Sequence, residues 1–507
     1  MTSLKIESQI PLSQSCLWQA QRHYFEEEGV HAWKQVPFFI TSNPFIADRY
    51  ARLIIAYLQD IQYDPSEPLY IVELGTGTGQ FSYYCNLALK QYLQNPALAH
   101  LKICYIMTDF TVSNLSFWED QSVFAPWFAD GSLDYALLDV EAPESLALIK
   151  NKITLETLKN PLIVIGNYVF DSVRHDLFSV KNGSLYHSLI DTEIDAADYD
   201  SQEQKILSLK NIAFQYHETP VILNQEPQAP LLQHYQETLD EGEFTLPTSA
   251  LHLLDFFKDY APQGTLLISS DKGFNTIDEL CQPHPRDLVF HGSFSFEVNF
   301  HALAESVKMQ KGRALLQKYR EGIKTNLFLS AQPETPFLNQ AFASEINDFG
   351  PADYFRYHSH FKNQDPLDLN LILTQLRLSG PDPYVFSLIH APLSKLIHTA
   401  KPALQQAFVD LIPAIFERIY PIPESTDHAF NLGFFLHTLA LYAQAIPYYE
   451  ASQRAYGERF DNCFNLGICY SYHHLPKSKA FFEAALPLAS AEQKPQVLAW
   501  LGKWAKV

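Results

Sequence analysis

Short apolar runs alternate along the first two thirds of the chain with segments whose apolar residues recur every third or fourth position. The runs are LYIVEL at 69–74, LKICYIMTD at 101–109, LDYALLD at 133–139, PLIVIGN at 161–167 and GTLLISSDKG at 264–273. An uninterrupted apolar run suits a strand that is buried on both faces of a parallel sheet. Such strands, alternating with helices, predict a doubly wound α/β domain over residues 61–330.

The segment before the first strand is predicted to be helical. In SNPFIADRYARLIIAYLQ the apolar residues have helical spacing, Ser42 or Asn43 is placed to cap the helix, and Pro44 falls in its first turn. We therefore expect an N-terminal helical segment over residues 1–60. A further helix is expected at 80–93, directly after the first strand and its turn.

From about residue 350 the pattern becomes helical without strands. FNLG at 430–433 recurs as FNLG at 464–467, 34 residues later, which is the tetratricopeptide period. Gly433 fits the small position at which paired helices cross closely. We predict an all-α tetratricopeptide-like domain over 350–507 that binds a protein partner. An ordinary helical bundle with accidental self-similarity is the alternative.

Composition narrows the class of partner. The 507 residues carry a formal net charge of −21, which repels a nucleic-acid backbone. No apolar run approaches the roughly 20 residues of a membrane span, and the first residues lack the apolar core of a secretion signal. We expect a cytoplasmic protein that binds neither nucleic acid nor membrane. No metal site is expected, because no acid joins the closely spaced histidine pairs 358/360 and 473/474.

The stretch IVELGTGTG at 71–79 carries the first candidate site. A strand ending in Glu73 is followed by Gly75, Gly77 and Gly79, and glycines that open a helix bring the backbone close to a nucleotide-like ligand. Dinucleotide sites require G-x-G-x-x-G, whereas these glycines alternate and position 80 is Gln. A purely structural loop is the alternative interpretation.

Alternating glycines after VEL resemble motif I of the class I S-adenosylmethionine-dependent methyltransferases, which have a Rossmann-like fold. The resemblance implies that the turn passes under the methionine part of S-adenosylmethionine. It also implies that an acid ending the second strand, here Asp109, accepts from the ribose hydroxyls, and that Asp139 meets the adenine amine. As strand-end acids, these residues also fit helix caps or solvated positions.

Several further segments resemble the MidA family, the mitochondrial complex I assembly arginine methyltransferases and their bacterial relatives. The segments are FFITSNPFIADRYARLI before the glycines, VIGNYVFDSVRHDLF at 164–178, EFTLPTSALHLLDFFKDYAPQGTLLISSDKG at 243–273 and SFSFEVNFHALAESVKMQKG at 293–312. Together they cover roughly residues 30–315. The resemblance implies methyl transfer from S-adenosylmethionine to a protein, with arginine as the acceptor in the mitochondrial branch.

The side that would face the methyl acceptor departs from this family. Asn167 and Asp171 of the family pattern remain, but Tyr168 stands in place of a glutamate, Arg174 in place of a proline and Lys272 in place of a tyrosine. We expect Asn167 to lie beside the transferring methyl group and to contact the cofactor, with Asp171 in support. A capping role for Asn167 and a structural role for Asp171 remain open.

Two functions from different classes are consistent with these features. One is a protein methyltransferase, a transferase whose C-terminal repeats select the target. The other is a weakly active or inactive methyltransferase-fold assembly factor that recruits partners through the repeats. Binding of S-adenosylmethionine is expected of both, so only turnover distinguishes them.

Overall fold

The computed structural model describes residues 3–34, 40–209, 212–280, 289–290, 294–330, 334–361, 368–422, 426–472 and 474–504. His473 of the second histidine pair and residues 38–39 of the first family-like segment lie outside these ranges. The chain divides into two compact units, Met1–Tyr357 and His358–Val507. The sequence pattern had placed the change to the helical region between 330 and 350.

The first unit contains two large sheets. Their strands are β1 Ser3–Ile10, β2 Leu69–Leu74, β3 Ile103–Asp109, β4 Leu133–Leu137, β5 Leu162–Asn167, β6 Asp176–Lys181, β7 Ser184–Asp195, β8 Ala213–Pro220, β9 Gly242–Leu246, β10 Thr265–Phe274, β11 Val298–Asn299, β12 Arg313–Leu315 and β13 Ile323–Leu329. Short two-residue strands form three further ladders, 147–148 with 153–154, 199–200 with 205–206, and 289–290 with 294–295.

The larger sheet has the order β12-β13-β10-β5-β2-β3-β4, and β11 pairs with β10. Strands β2, β3, β4, β5 and β10 are parallel, whereas β13 runs antiparallel to β10 and β12 antiparallel to β13. The chain moves outward from β2 through β3 to β4, then returns to β5 on the other side of β2. The predicted doubly wound α/β fold is confirmed, and its topological switch point lies between β2 and β5.

Helices flank the sheets of the first unit and make up the second. They are α1 Cys16–Glu28, α2 Pro44–Asp60, α3 Gln80–Leu93, α4 Val112–Asp120, α5 Ala125–Asp130, α6 Ala229–Thr238, α7 Thr248–Tyr260, α8 Ile277–Leu280, α9 Phe300–Met309, α10 Pro336–Phe342, α11 Pro351–Phe361, α12 Leu369–Leu378, α13 Pro383–Leu396, α14 Pro402–Val409, α15 Ile412–Glu417, α16 His428–Thr438, α17 Tyr442–Tyr456, α18 Phe460–Ser471, α19 Leu475–Leu488 and α20 Lys494–Trp504. Among the residues just described, no helix combines the length and apolarity that crossing a membrane requires.

Local sequence signals explain the helix starts that flank the first strand. The Asn43 side chain accepts from the Ile46 N–H at 3.1 Å and Pro44 occupies the first turn of α2, so Asn43 rather than Ser42 is the cap. Helix α3 begins at Gln80, immediately after Gly79 in left-handed conformation. Both helices therefore begin where their caps predict.

The N-terminal segment differs from its predicted helical form. Residues 3–10 form β1, which pairs antiparallel with β7 across Leu4↔Ile194 and Ile10↔Ile190. Strands β6, β7, β8 and β9 complete this five-stranded antiparallel sheet. The sequence pattern did not predict it as a second sheet. The physical reason is that β1 gains its hydrogen bonds from a partner far away in the chain, which a local helical pattern cannot reveal.

The second unit contains two successive helical hairpins, α16 with α17 and α18 with α19. In the first, a Cβ placed on Gly433 would lie 3.0 Å from the ring of Tyr449; in the second, a Cβ on Gly467 would lie 2.8 Å from the ring of Phe482. The repeated FNLG thus marks the same close helix crossing twice. This geometry accounts for glycine at both positions.

Replacing Gly467 with alanine is therefore expected to destabilise the second unit, although Gly→Ala within a helix ordinarily stabilises by about 0.5–1 kcal/mol. The fully buried ring of Phe482 would have to move to admit the new methyl group. Gly502→Ala in α20 is the matched control, since a Cβ there meets nothing within 4 Å. Thermal unfolding should show a lower midpoint for Gly467→Ala only. Equal midpoints for the two variants would contradict the crossing geometry.

Candidate functional site

The glycine turn joins β2 to α3 at the centre of the larger sheet. Gly75, Gly77 and Gly79 have φ angles of 55°, 59° and 83°, in the left-handed region that other residues rarely adopt. The Thr76 N–H donates to the Thr108 carbonyl at 2.8 Å, which ties the turn to the end of β3. A Cβ on Gly75 would lie 3.1 Å from a methyl group of Val169. The turn therefore brings its backbone close to the ends of β3 and β5.

A cleft opens at the carboxyl ends of these strands. Its lining comes from α1 and the segment that follows it, from the ends of β2, β3, β4 and β5, and from β10. The lining residues are Trp18, Gln21, Arg22, Phe25, Gly29, Gly75, Asp109, Phe110, Thr111, Asn114, Leu138, Val140, Glu141, Tyr168, Val169, Asp171, Ser172, Val173 and Lys272. In open α/β sheets, ligands bind in the crevice at the switch point, which is where this cleft lies.

Asp109 reaches the cleft but is already surrounded by donors. Its Oδ2 accepts from the Gly77 N–H at 3.1 Å and from Asn114 Nδ2 at 2.9 Å. Its Oδ1 accepts from the backbone N–H and the hydroxyl of Thr111, both at 3.0 Å. A carboxylate offers about four lone-pair sites. A ribose bound here would therefore replace side-chain donors of Thr111 or Asn114, while the bond to Gly77 holds the turn.

Glu73 lies beneath the turn rather than in the cleft lining. Its carboxylate accepts from the Tyr105 hydroxyl at 2.6 Å and from the Ser82 hydroxyl. Burial raises the pKa of Glu73 to about 7. The structure thus places this predicted cofactor ligand in a buried polar network that fastens β2 to β3 and α3.

Asp139 follows β4 and turns toward α1. It forms an ion pair with Arg22 at 2.9 Å, and the Arg22 guanidinium lies over the Phe110 ring at 4.5 Å. Glu141 also pairs with Arg174, at 3.2 Å. Arg22 and Glu141 belong to the cleft lining, and Asp139 and Arg174 hold them in place by these ion pairs. Arg174, one of the departures from the family pattern, thus acts as a cross-link to this lining.

Asn167 ends β5 beside a hydroxyl network. Its Oδ1 accepts from the buried Tyr50 hydroxyl at 2.7 Å, and that hydroxyl lies 2.7 Å from Ser270 Oγ. Its Nδ2 is buried without a hydrogen-bond partner among the described residues. A buried amide donor without an acceptor is rare in native proteins, which favours a ligand or water at this position.

Tyr168 adopts a φ of 50°, which is unusual for a bulky residue, and lines the cleft. Burial, and then the nearby charges of Asp271 and Asp171, raises the pKa of its hydroxyl. Backbone strain of this kind clusters at functional sites. The residue that replaces the family's glutamate therefore lies directly at the cleft.

Two buried carboxylates lie beside Tyr168. Asp271 Oδ2 accepts from the Asp171 N–H at 3.0 Å, and Asp171 Oδ1 accepts from the Ser172 hydroxyl at 2.7 Å. Burial raises the pKa of Asp171; burial, followed by the charge of Asp171, raises the pKa of Asp271. Adjacent buried carboxylates do not both ionise readily, so this pair keeps a proton at a pH where an ordinary carboxyl group has lost it.

We expect Asp171→Asn to reduce the pH dependence of unfolding. The pKa of Asp171 is raised above its ordinary value of 3.8, so the folded chain holds a proton that the unfolded chain releases. The free energy of unfolding consequently falls as pH rises from about 4, by roughly 1.4 kcal/mol per unit of pKa shift. An amide at 171 mimics the protonated acid and removes this loss.

Urea unfolding at pH 4, 6 and 8 tests this expectation. The stability of Asp171→Asn relative to the unmodified protein should rise with pH. Asp240→Asn, at an exposed position before β9, is the control. Its free energy of unfolding should differ from that of the unmodified protein by the same amount at all three pH values. Parallel pH profiles for Asp171→Asn and the unmodified protein would contradict the raised pKa.

The structure brings Gly75, Asp109 and Asp171 together in one cleft, whereas Asn167, at the end of the central strand β5, is not among the residues that line it. Gly77 and Gly79 shape the turn, whereas Glu73 and Asp139 face other protein groups. Pattern reasoning missed the wall from α1, including Trp18, Arg22 and Phe25. An amphipathic helix so far from the glycines offers no local signal that it returns to them.

Comparisons with known proteins yield structural neighbours only. No protein-family model matches the chain, and no curated protein matches it. An uncharacterised protein from Burkholderia thailandensis has 16% identity and a TM-score of 0.42, covering 75% of this chain and 83% of its own. A member of the same superfamily from Burkholderia thailandensis, solved with S-adenosylhomocysteine, has 15% identity and a TM-score of 0.38, covering 69% and 73%.

Magnesium protoporphyrin IX methyltransferase from Synechocystis PCC 6803, also solved with S-adenosylhomocysteine, is a more distant neighbour. It has 10% identity and a TM-score of 0.28, and the alignment covers 61% of this chain and 98% of that one.

Proposed function

We propose that the protein is an S-adenosylmethionine-dependent methyltransferase. The observation that carries the proposal is the position of the cleft: it lies at the switch point of the doubly wound sheet, with the Gly75 backbone and Asp109 in its lining. This combination is typical of sites for nucleoside-containing ligands.

The residues of the cleft fit the parts of this cofactor. Phe110, Leu138 and Val140 supply apolar surface for a flat base. Asp109 supplies acceptor oxygens for a ribose diol, and the free Nδ2 of Asn167 supplies a donor near the end of β5. When bound, the cofactor supplies an electrophilic methyl group. The protein's part is to hold the acceptor atom in line with that group, where placement matters more than acid-base strength.

The acceptor is proposed to be a protein side chain, with arginine as the candidate that the family resemblance suggests. The second unit is proposed to bind the target, since its repeated hairpins resemble protein-binding repeats. Activity in the cytoplasm accords with the free state of the five described cysteines. Tyr168 and Lys272 at the cleft favour a second candidate, a protein that binds the cofactor but recruits partners without turnover.

Transfer of a tritiated methyl group from S-adenosylmethionine into cell-lysate proteins tests the proposal. We expect label in a protein fraction, and Asn167→Ala should lower the rate by about tenfold or more, equivalent to roughly 1.4 kcal/mol in the barrier. The reason is that Asn167 Oδ1, which keeps a second lone pair beside the bond from Tyr50, would accept from the N–H of the methyl acceptor and so aim its lone pair. Asn95→Ala, on the exposed turn after α3, is the control and should leave the rate unchanged.

The result separates the two candidates. Cofactor binding without label would favour the binding protein over the enzyme. Label at the wild-type rate from Asn167→Ala would refute the aiming role while leaving the transferase intact. Removing residues 358–507 should abolish capture of protein partners in a pull-down; equal recovery with and without them would contradict the role of the second unit.

A further inference from the structure

Two partly buried histidines and a glutamate meet where helices α6 and α9 adjoin. His301 Nε2 lies 3.8 Å from Glu305 Oε1, and His234 Nε2 lies 4.0 Å from Glu305 Oε2. One ligand atom from each residue falls within 4.8 Å of the others. None of the three lines the cleft, so this cluster is separate from the proposed methyl-transfer site.

Helix geometry explains why the three side chains converge. His301 and Glu305 are four residues apart on α9 and therefore share one face of that helix. His234 projects from α6, and its ring stacks on that of His301 with centroids 6.1 Å apart and planes inclined by 21°. The cluster thus bridges two helices that are distant in the chain.

His301 is oriented by a buried partner. Its Nδ1 lies 2.9 Å from the hydroxyl of Tyr235, which is fully buried and also accepts from Asn299 Nδ2 at 3.1 Å. A hydrogen bond at Nδ1 leaves Nε2 directed toward Glu305. Metal-binding histidines in proteins usually have such a second partner, which fixes the ring and the tautomer.

Lys308 is the competing cation. Its Nζ lies 2.7 Å from Glu305 Oε1, but half of its side chain is exposed, so it can swing into solvent. An exposed ion pair of this kind contributes little to stability. A divalent ion that neutralises the same carboxylate therefore meets a weak competitor.

We propose that His234, His301 and Glu305 form a zinc site that fastens α6 to α9. Two imidazole nitrogens and one carboxylate oxygen are ligands that zinc accepts, with water in the fourth position. Bonds of about 2.0–2.2 Å in a tetrahedron place ligand atoms about 3.4 Å apart. The three ligand atoms therefore have to move only slightly closer together to bind the ion. Small rotations of the partly exposed side chains supply it.

Calorimetric titration of the chelator-treated full-length protein with zinc chloride tests the site. We expect one equivalent of zinc to bind and to raise the midpoint of thermal unfolding. His234→Ala and Glu305→Gln should each lower the affinity for this zinc ion at least tenfold. Lys308→Ala should raise the affinity for zinc, because the competing ammonium group is gone. His252→Ala, at an exposed position of α7, is the matched control and should bind as the unmodified protein does.

A loss of zinc binding has to be distinguished from a loss of structure. Circular dichroism before zinc addition verifies that each variant is folded, and the conservative Glu305→Gln guards against a loss of structure. Retention of the full zinc affinity by His234→Ala and Glu305→Gln would mean that other histidines bind the ion and would overturn the proposal. Weaker binding to Lys308→Ala would overturn it as well.

Discussion

Gly77→Val is expected to abolish binding of S-adenosylmethionine. Gly77 has a φ of 59°, where a residue with a branched side chain is strongly disfavoured. Its peptide is held at both ends, since the N–H donates to Asp109 at 3.1 Å and the carbonyl accepts from Trp118 Nε1 at 2.8 Å. The turn can therefore not relax around valine, and a distorted turn would no longer hold Gly75 and Asp109 in place at the proposed cofactor site.

Calorimetry with S-adenosylhomocysteine measures this effect. Gly183→Val is the matched control: Gly183 also has a positive φ, 72°, but it lies on an exposed hairpin turn where a Cβ meets nothing within 4 Å. The control should bear a similar local strain and bind normally. If a folded Gly77→Val variant binds with unaltered affinity, the assignment of this turn to the cofactor is wrong.

Asp109→Ala is expected to weaken cofactor binding by about 1–3 kcal/mol, the usual range when hydrogen bonds to a charged acceptor are removed. The substitution removes the proposed acceptor for the ribose and also leaves the buried Gly77 N–H and Asn114 amide without their acceptor. The weaker binding therefore combines two effects, the missing hydrogen bonds to the ribose and a less rigid glycine turn.

Two further variants separate these contributions. Asp109→Asn keeps one acceptor oxygen for the turn, so it should bind more tightly than Asp109→Ala. Asp120→Ala, at the exposed end of α4, should bind like the unmodified protein. Unchanged affinity in Asp109→Ala together with weaker binding by Asp120→Ala would move the ribose contact from Asp109 to Asp120.

Much of the central sheet follows from local sequence patterns. Helix α3 spans the predicted residues Gln80–Leu93, and β2 spans the predicted Leu69–Leu74. Apolar runs, caps and glycines act over a few residues, and the chain order of strands and helices limits the topology to a doubly wound sheet. The close helix crossings at Gly433 and Gly467 likewise follow from a repeat visible in the sequence.

Long-range pairing could not be predicted in the same way. Strand β1 takes its hydrogen bonds from β7, whose residues lie far along the chain. The cleft wall from α1 and the ion pair of Arg22 with Asp139 arise by the same kind of long-range approach. No periodicity within either segment records which distant segment will become its neighbour.

The sequence alone determined the fold class, the switch-point turn and the acids that end its strands, because each depends on neighbouring residues. Tertiary structure decided what those acids face: Asp109 the cleft and the turn, Glu73 a buried network, and Asp139 an arginine. It also decided the burial that raises the pKa of Asp171 and Asp271, and the meeting of His234 with His301. Such properties depend on burial and on distances between remote side chains, which only the packed chain establishes.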